Sequence, residues 1–86
     1  MKVKKELIKR EIAGDVILVP VGKSVLEDNG LYALNELGAF IWDVLPDVES
    51  VDEIISKVLE EYDVEEDVAR KDVNDFLEKM KTLNIL

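Results

Sequence analysis

Hydrophobic and polar positions along the chain change period twice. Residues 7–12 ("LIKREI") and 15–20 ("DVILVP") read as two strands around an Ala13-Gly14 turn. The second is apolar at Val16, Ile17, Leu18 and Val19, and a strand with two apolar faces belongs in the middle of a sheet. Pro20 and Gly22 end it. In "KSVLEDNG" the Asn29-Gly30 pair is a hairpin signal, so residues 24–26 are expected to pair briefly with the segment after the turn. Residues 31–34 ("LYAL") read as the third main strand.

From Asn35 the period becomes helical. Asn35 is placed to cap a first helix, and Leu37, Phe40, Ile41, Val44 and Leu45 form one face of it. Gly38 lies inside that helix, where it costs about 1 kcal/mol relative to Ala; the expected reason is close approach of another backbone or ring. Pro46-Asp47 ends the helix. Ser50-Val51-Asp52-Glu53 fits a capping box, and Val51, Ile54, Ile55, Val58, Leu59 and Tyr62 give the second helix its apolar face. Asp63 is expected to cap a third, whose stripe is Ala69, Val73, Phe76, Leu77, Met80 and Leu83. Asn84 tolerates the left-handed conformation, so it would end that helix and fold Ile85 and Leu86 back onto the core. The order β-β-β-α-α-α predicts an α+β fold: a three-stranded antiparallel sheet followed by three helices, as one domain over residues 1–86.

Composition narrows the chemistry. With 86 residues the chain has room for one modest core. No apolar run approaches the ~18 residues of a membrane span, and no signal peptide opens the sequence, so the expected compartment is the cytoplasm. Net charge is −9 and unevenly spread. Residues 1–23 carry six bases and three acids, giving +3, and residues 24–86 carry five bases and 17 acids, giving −12. An acidic body repels phosphate backbones and anionic lipid, which argues against nucleic acid and membrane as partners.

Histidine and cysteine are absent. No glycine-rich phosphate loop exists, and the few hydroxyls have only carboxylates or lysines to activate them. The run "EEYDVEEDV" opens like a calcium loop at Asp63, Glu65 and Asp67. It then places Val68 where glycine is needed and Asn74 where a bidentate Glu is needed. The sequence therefore predicts no catalytic residues, no metal site and no cofactor.

The segments "REIAGDVILVPVG", "GLYALNELGAFIWDVL", the helix ending in "EEYDV", and "DVNDFLEKMKTLNIL" closely resemble the PqqD family, named for coenzyme PQQ synthesis protein D. The resemblance covers about residues 5–86 and is most specific at Leu34-Asn35-Glu36, Gly38 and Ile41-Trp42. It implies a winged-helix-like recognition element for ribosomally made, post-translationally modified peptides. Such an element binds the leader segment of a precursor peptide and presents it to a modifying enzyme, often a radical S-adenosylmethionine enzyme. Two features depart from the family pattern: "VGKSVLEDNG" is longer than the usual connection between the second and third strands, and Asn84 stands where glycine is common.

The family's groove lies between the third strand and the third helix. The resemblance thus implies peptide binding by Leu31, Tyr32, Ala33 and Leu34 on the strand. On the helix, one flank carries Val68, Asp72, Asp75 and Lys79, and the other Arg70, Asn74, Leu77 and Lys81. The first is favoured because Val68 is apolar yet off the core stripe. Phe76 is expected to be core first and groove floor second. The strand's physical character fits such use. Its edge has neither charge nor proline, an exposure proteins usually avoid unless the edge accepts another strand. The same edge could instead be covered within the chain, or pair copies of it, so a monomer or a weak or strand-exchanged dimer is expected. The rival reading is a DNA-binding winged-helix regulator. Against it, residues 65–82 hold six acids and four bases, a net of −2 that opposes phosphate.

Overall fold

The computed structural model describes residues 1–27 and 31–86. Strands β1 (Leu7–Ile12), β2 (Asp15–Pro20) and β3 (Tyr32–Leu34) form an antiparallel sheet of order β1-β2-β3. A one-turn helix α1 (Ser24–Glu27) lies between β2 and β3. Helices α2 (Glu36–Val44), α3 (Val51–Glu61) and α4 (Glu66–Thr82) come next, with a 3₁₀ turn at Leu45–Asp47. The architecture is the α+β arrangement predicted, a three-stranded sheet followed by three main helices.

Local chemistry accounts for most boundaries. Ala13 and Gly14 both have positive φ, 52° and 85°, as a tight two-residue hairpin turn requires. Asn35 Oδ1 accepts the Gly38 N–H at 2.7 Å, and Ser50 Oγ accepts the Glu53 N–H at 3.2 Å. Each supplies a partner to a helix N–H that has none within the helix. Asn84 takes φ 60°, and the chain then reverses: the Ile85 N–H donates to the Met80 carbonyl at 2.8 Å, and Ile85 is fully buried.

Two expectations need correction. Residues 24–26 do not form a strand; they belong to α1. Gly22, at φ 58°, turns the chain inward against Glu6, and buried Ser24 Oγ accepts the Glu6 N–H at 2.7 Å. That bond satisfies a backbone donor at the sheet margin and fixes a helical turn instead. The Asn29-Gly30 signal lies outside the described residues. Asp63 does not cap α4 either. Glu65 occupies that position without a side-chain cap bond. The chain stays extended from Tyr62, whose ring meets Phe40 edge-on at 5.5 Å between centroids. The Val68 N–H is met locally by Asp67 Oδ1 at 3.0 Å.

The core joins α2, α3 and α4 through Ile41, Leu45, Ile54, Val58, Val73 and Leu77, with Val48 buried behind the 3₁₀ turn. Leu18 is the fully buried residue of the central strand.

Candidate functional site

The register of the sheet determines what its edges offer. A two-residue turn makes Ile12 and Asp15 a hydrogen-bonded pair, and such pairs alternate with non-hydrogen-bonded ones along an antiparallel ladder. The Val21 N–H donates to the Glu6 carbonyl at 2.9 Å, continuing the same phase. Asp15, Ile17 and Val19 therefore turn their backbone groups towards β1. Val16 and Leu18 turn theirs towards their β3 partners, Leu34 and Tyr32. Ala33, opposite Ile17, falls in a non-hydrogen-bonded pair, so its N–H and C=O point out from the open edge. β3 is paired on one side only among the described residues.

Beside that edge lies a groove of about 610 Å³. β3 contributes Ala33 and Leu34, and the start of α2 contributes Asn35, Glu36, Leu37 and Gly38. α4 forms the facing wall with Asp72, Asp75, Phe76 and Lys79, while Tyr62 and Val64 close the corner between α3 and α4. Gly38 explains how two walls approach so closely. A Cβ there would stand 3.1 Å from Phe76 Cε2 and 3.1 Å from Asn35 Oδ1. The glycine thus leaves room for a ring to lie against α2, and Phe76 is half-buried in the groove rather than sealed in the core.

Of the residues implied at sequence level, Ala33, Leu34, Asp72, Asp75, Phe76 and Lys79 line this groove together. Leu31, Tyr32 and Val68 do not. Leu31 is exposed and sits just before β3. Tyr32 is half-buried, with the Lys5 ammonium 5.9 Å from its ring centroid. Val68 is exposed on the first turn of α4, and Val64, four residues earlier, takes the groove position instead. Sequence reasoning missed Glu36, Tyr62 and Val64 as groove residues. The available signals were the polar tip of Tyr62 at the end of its helix and an apolar Val64 among carboxylates.

The groove's electrostatics are mixed. The Tyr62 hydroxyl is held above the usual tyrosine range, first by desolvation and then by the Glu36 and Glu61 carboxylates. Asp75 is engaged by Lys71 Nζ at 2.9 Å. No group of three or more metal-ligating side chains occurs among the described residues, and no helix there is long and apolar enough to cross a membrane.

Comparison with known proteins fits this arrangement. The structure described as TbiB1 in complex with the TbiA(beta) leader peptide is 24% identical, with a TM-score of 0.77 over 100% of this chain and 94% of that one. A lasso peptide synthetase B1 complexed with the leader peptide is 21% identical, with a TM-score of 0.74 over 98% of this chain and 93% of that one. At these identities the likeness establishes a shared fold. No curated protein matches the sequence significantly. The family model described as coenzyme PQQ synthesis protein D (PqqD) matches residues 15–86, and the chain belongs to the PqqD family.

Proposed function

We propose that this chain is a non-catalytic recognition element that binds the leader segment of a ribosomally made precursor peptide. The leader adds as a strand to β3 and lays its side chains in the groove between β3 and α4. The chain then presents the peptide to a modifying enzyme, with a radical S-adenosylmethionine enzyme as the expected class. The observation that carries this reading is the outward N–H and C=O of Ala33 on an uncharged edge directly beside an apolar-floored groove. Strand addition uses main-chain hydrogen bonds for affinity and adjacent pockets for side-chain choice. Each backbone bond contributes only about 0.5–1.5 kcal/mol net, so an apolar anchor against Phe76 must supply much of the affinity. The two solved structures of the same fold hold leader peptides, which supports the same use here.

The test begins with the gene's neighbours. A short peptide gene beside it supplies the probe, a synthetic peptide covering that product's N-terminal half. Fluorescence anisotropy should give saturable binding, and the peptide should co-purify the chain with the neighbouring enzyme. Absence of binding to any segment of that peptide would count against the proposal.

A further inference from the structure

The groove is charged differently along its length. Glu36 stands at the first position of α2, next to β3, and Asp72 lies on α4; both line the groove and neither is in an ion pair among the described residues, although the Asp72 carboxylate also acts on the adjacent Lys71 ammonium. Asp75, one turn further along α4, is already engaged by Lys71. Lys79 lies two turns beyond Asp72, about 10 Å along the helix axis at ~1.5 Å per residue. It lines the same groove, again without an ion-pair partner among the described residues. Between these ends sits the Phe76 ring. A strand advances ~3.3 Å per residue and shows every second side chain to one face. For a strand laid along α4, the two ends of the groove are about three residues apart, within reach of long side chains placed two or four positions apart.

We infer that the groove selects an extended peptide by charge order: a Lys or Arg side chain towards Glu36 and Asp72, an apolar residue over Phe76, and an acidic side chain towards Lys79. This rests on the proposed peptide-binding role and adds which leader sequences the groove accepts. It also gives the bound strand a direction, because reversing the peptide would set like charges against each other. The energetic logic is complementarity at a partly desolvated site, where matched charges discriminate more than they add affinity. The Tyr62 hydroxyl, raised first by desolvation and then by the Glu36 and Glu61 carboxylates, places the Glu36 charge within reach of this part of the groove.

The experiment is selection from a displayed library of random 12-residue peptides on three proteins: the unaltered chain, the Glu36→Gln/Asp72→Asn double variant, and Asp72→Lys. Thermal melts establish that each is folded. Asp72 is a solvent-exposed residue of the groove wall in the middle of α4, so its replacement keeps the test valid if Glu36→Gln disturbs the start of α2. The unaltered chain should enrich Lys or Arg about three- to fivefold over input at one position, with an acidic preference two or four positions away. The double variant should lose the basic preference, and Asp72→Lys should invert it towards Asp or Glu. Recovery of apolar-anchored peptides without any charge preference would overturn the charge-order inference and leave strand addition standing. Recovery of no peptide at all would overturn both.

Discussion

The two edges of the sheet are built from the same kind of backbone and are protected very differently. On β1 the ladder phase turns the backbone groups of Leu7, Lys9 and Glu11 outward, and the latter two, along the body of the strand, are charged. Lys9 Nζ is also tied to Asp43 Oδ2 on α2 at 2.5 Å. On β3 the outward residue is Ala33, small and neutral, and a groove begins beside it. Charged side chains on an edge discourage other strands from pairing there. Among the described residues edge protection is applied selectively, and the side left open is the one with somewhere to put a partner's side chains.

Proline substitution on each edge breaks this comparison most directly. Ala33→Pro removes an N–H that no strand among the described residues uses and places a ring where an added strand would run. Binding of a library-selected peptide should fall at least about tenfold, with the melting temperature changed by only a few degrees. Lys9→Pro removes the equivalent outward N–H from β1 and should leave peptide binding unchanged. Equal losses from both variants would mean that the two edges do not differ in function.

Gly38→Ala sharpens the comparison from the groove side. The new methyl must displace the Phe76 ring by a few tenths of an ångström, while the helix gains about 1 kcal/mol in intrinsic preference. Because the ring borders open groove space, it can yield outward. Denaturant melts should therefore change by less than about 1 kcal/mol, while peptide affinity drops about three- to tenfold. A large loss of stability with intact affinity would place the ring's role in the core alone.

The β1 side can be stabilised without touching the groove. Ala13 holds a left-handed backbone conformation that costs an L-residue about 1 kcal/mol or more, and Asn tolerates it better. Ala13→Asn should raise stability by roughly 1 kcal/mol in denaturant melts and leave peptide affinity unaltered.

The smallest expected effect is alkaline. The folded-state pKa of Tyr62 is raised, so its contribution to stability is complete below the ordinary value near 10 and is lost as pH rises through the folded value. Absorbance titration of the phenols should show one tyrosine ionising late, and Glu36→Gln should bring it closer to the usual range. An unchanged titration in that variant would separate Glu36 from the Tyr62 end of the groove.

Much of the fold is legible in the sequence because the decisive interactions are local. Asn35 and Ser50 cap helices three residues away, Ala13-Gly14 makes a turn within its own hairpin, and Asn84 reverses the chain onto Met80. Gly38 signals a close approach, although not which ring makes it. Local pattern does not reveal contact between distant segments. Ser24 forms a helical turn because Glu6, 18 residues earlier, needs an acceptor. The same limit applies to the site. Ala33 and Leu34 stand out by their lack of charge. Glu36, Tyr62 and Val64 join the groove only because α2 and the α3–α4 corner meet beside β3. Val68 reads as the unexplained apolar residue of α4, but the extended chain before that helix places Val64 at the groove instead.

Amide hydrogen exchange along β3, with and without a library-selected peptide, tests the central claim in one measurement. In the free protein the Tyr32 and Leu34 amides, bonded to β2, should exchange slowly, and the Ala33 amide should exchange fast. On adding peptide, Ala33 should become protected while the outward amides of Lys9 and Glu11 do not change. Protection of Ala33 in the free protein would contradict the open edge. Peptide-induced protection confined to β1, with Ala33 still fast, would contradict strand addition at β3.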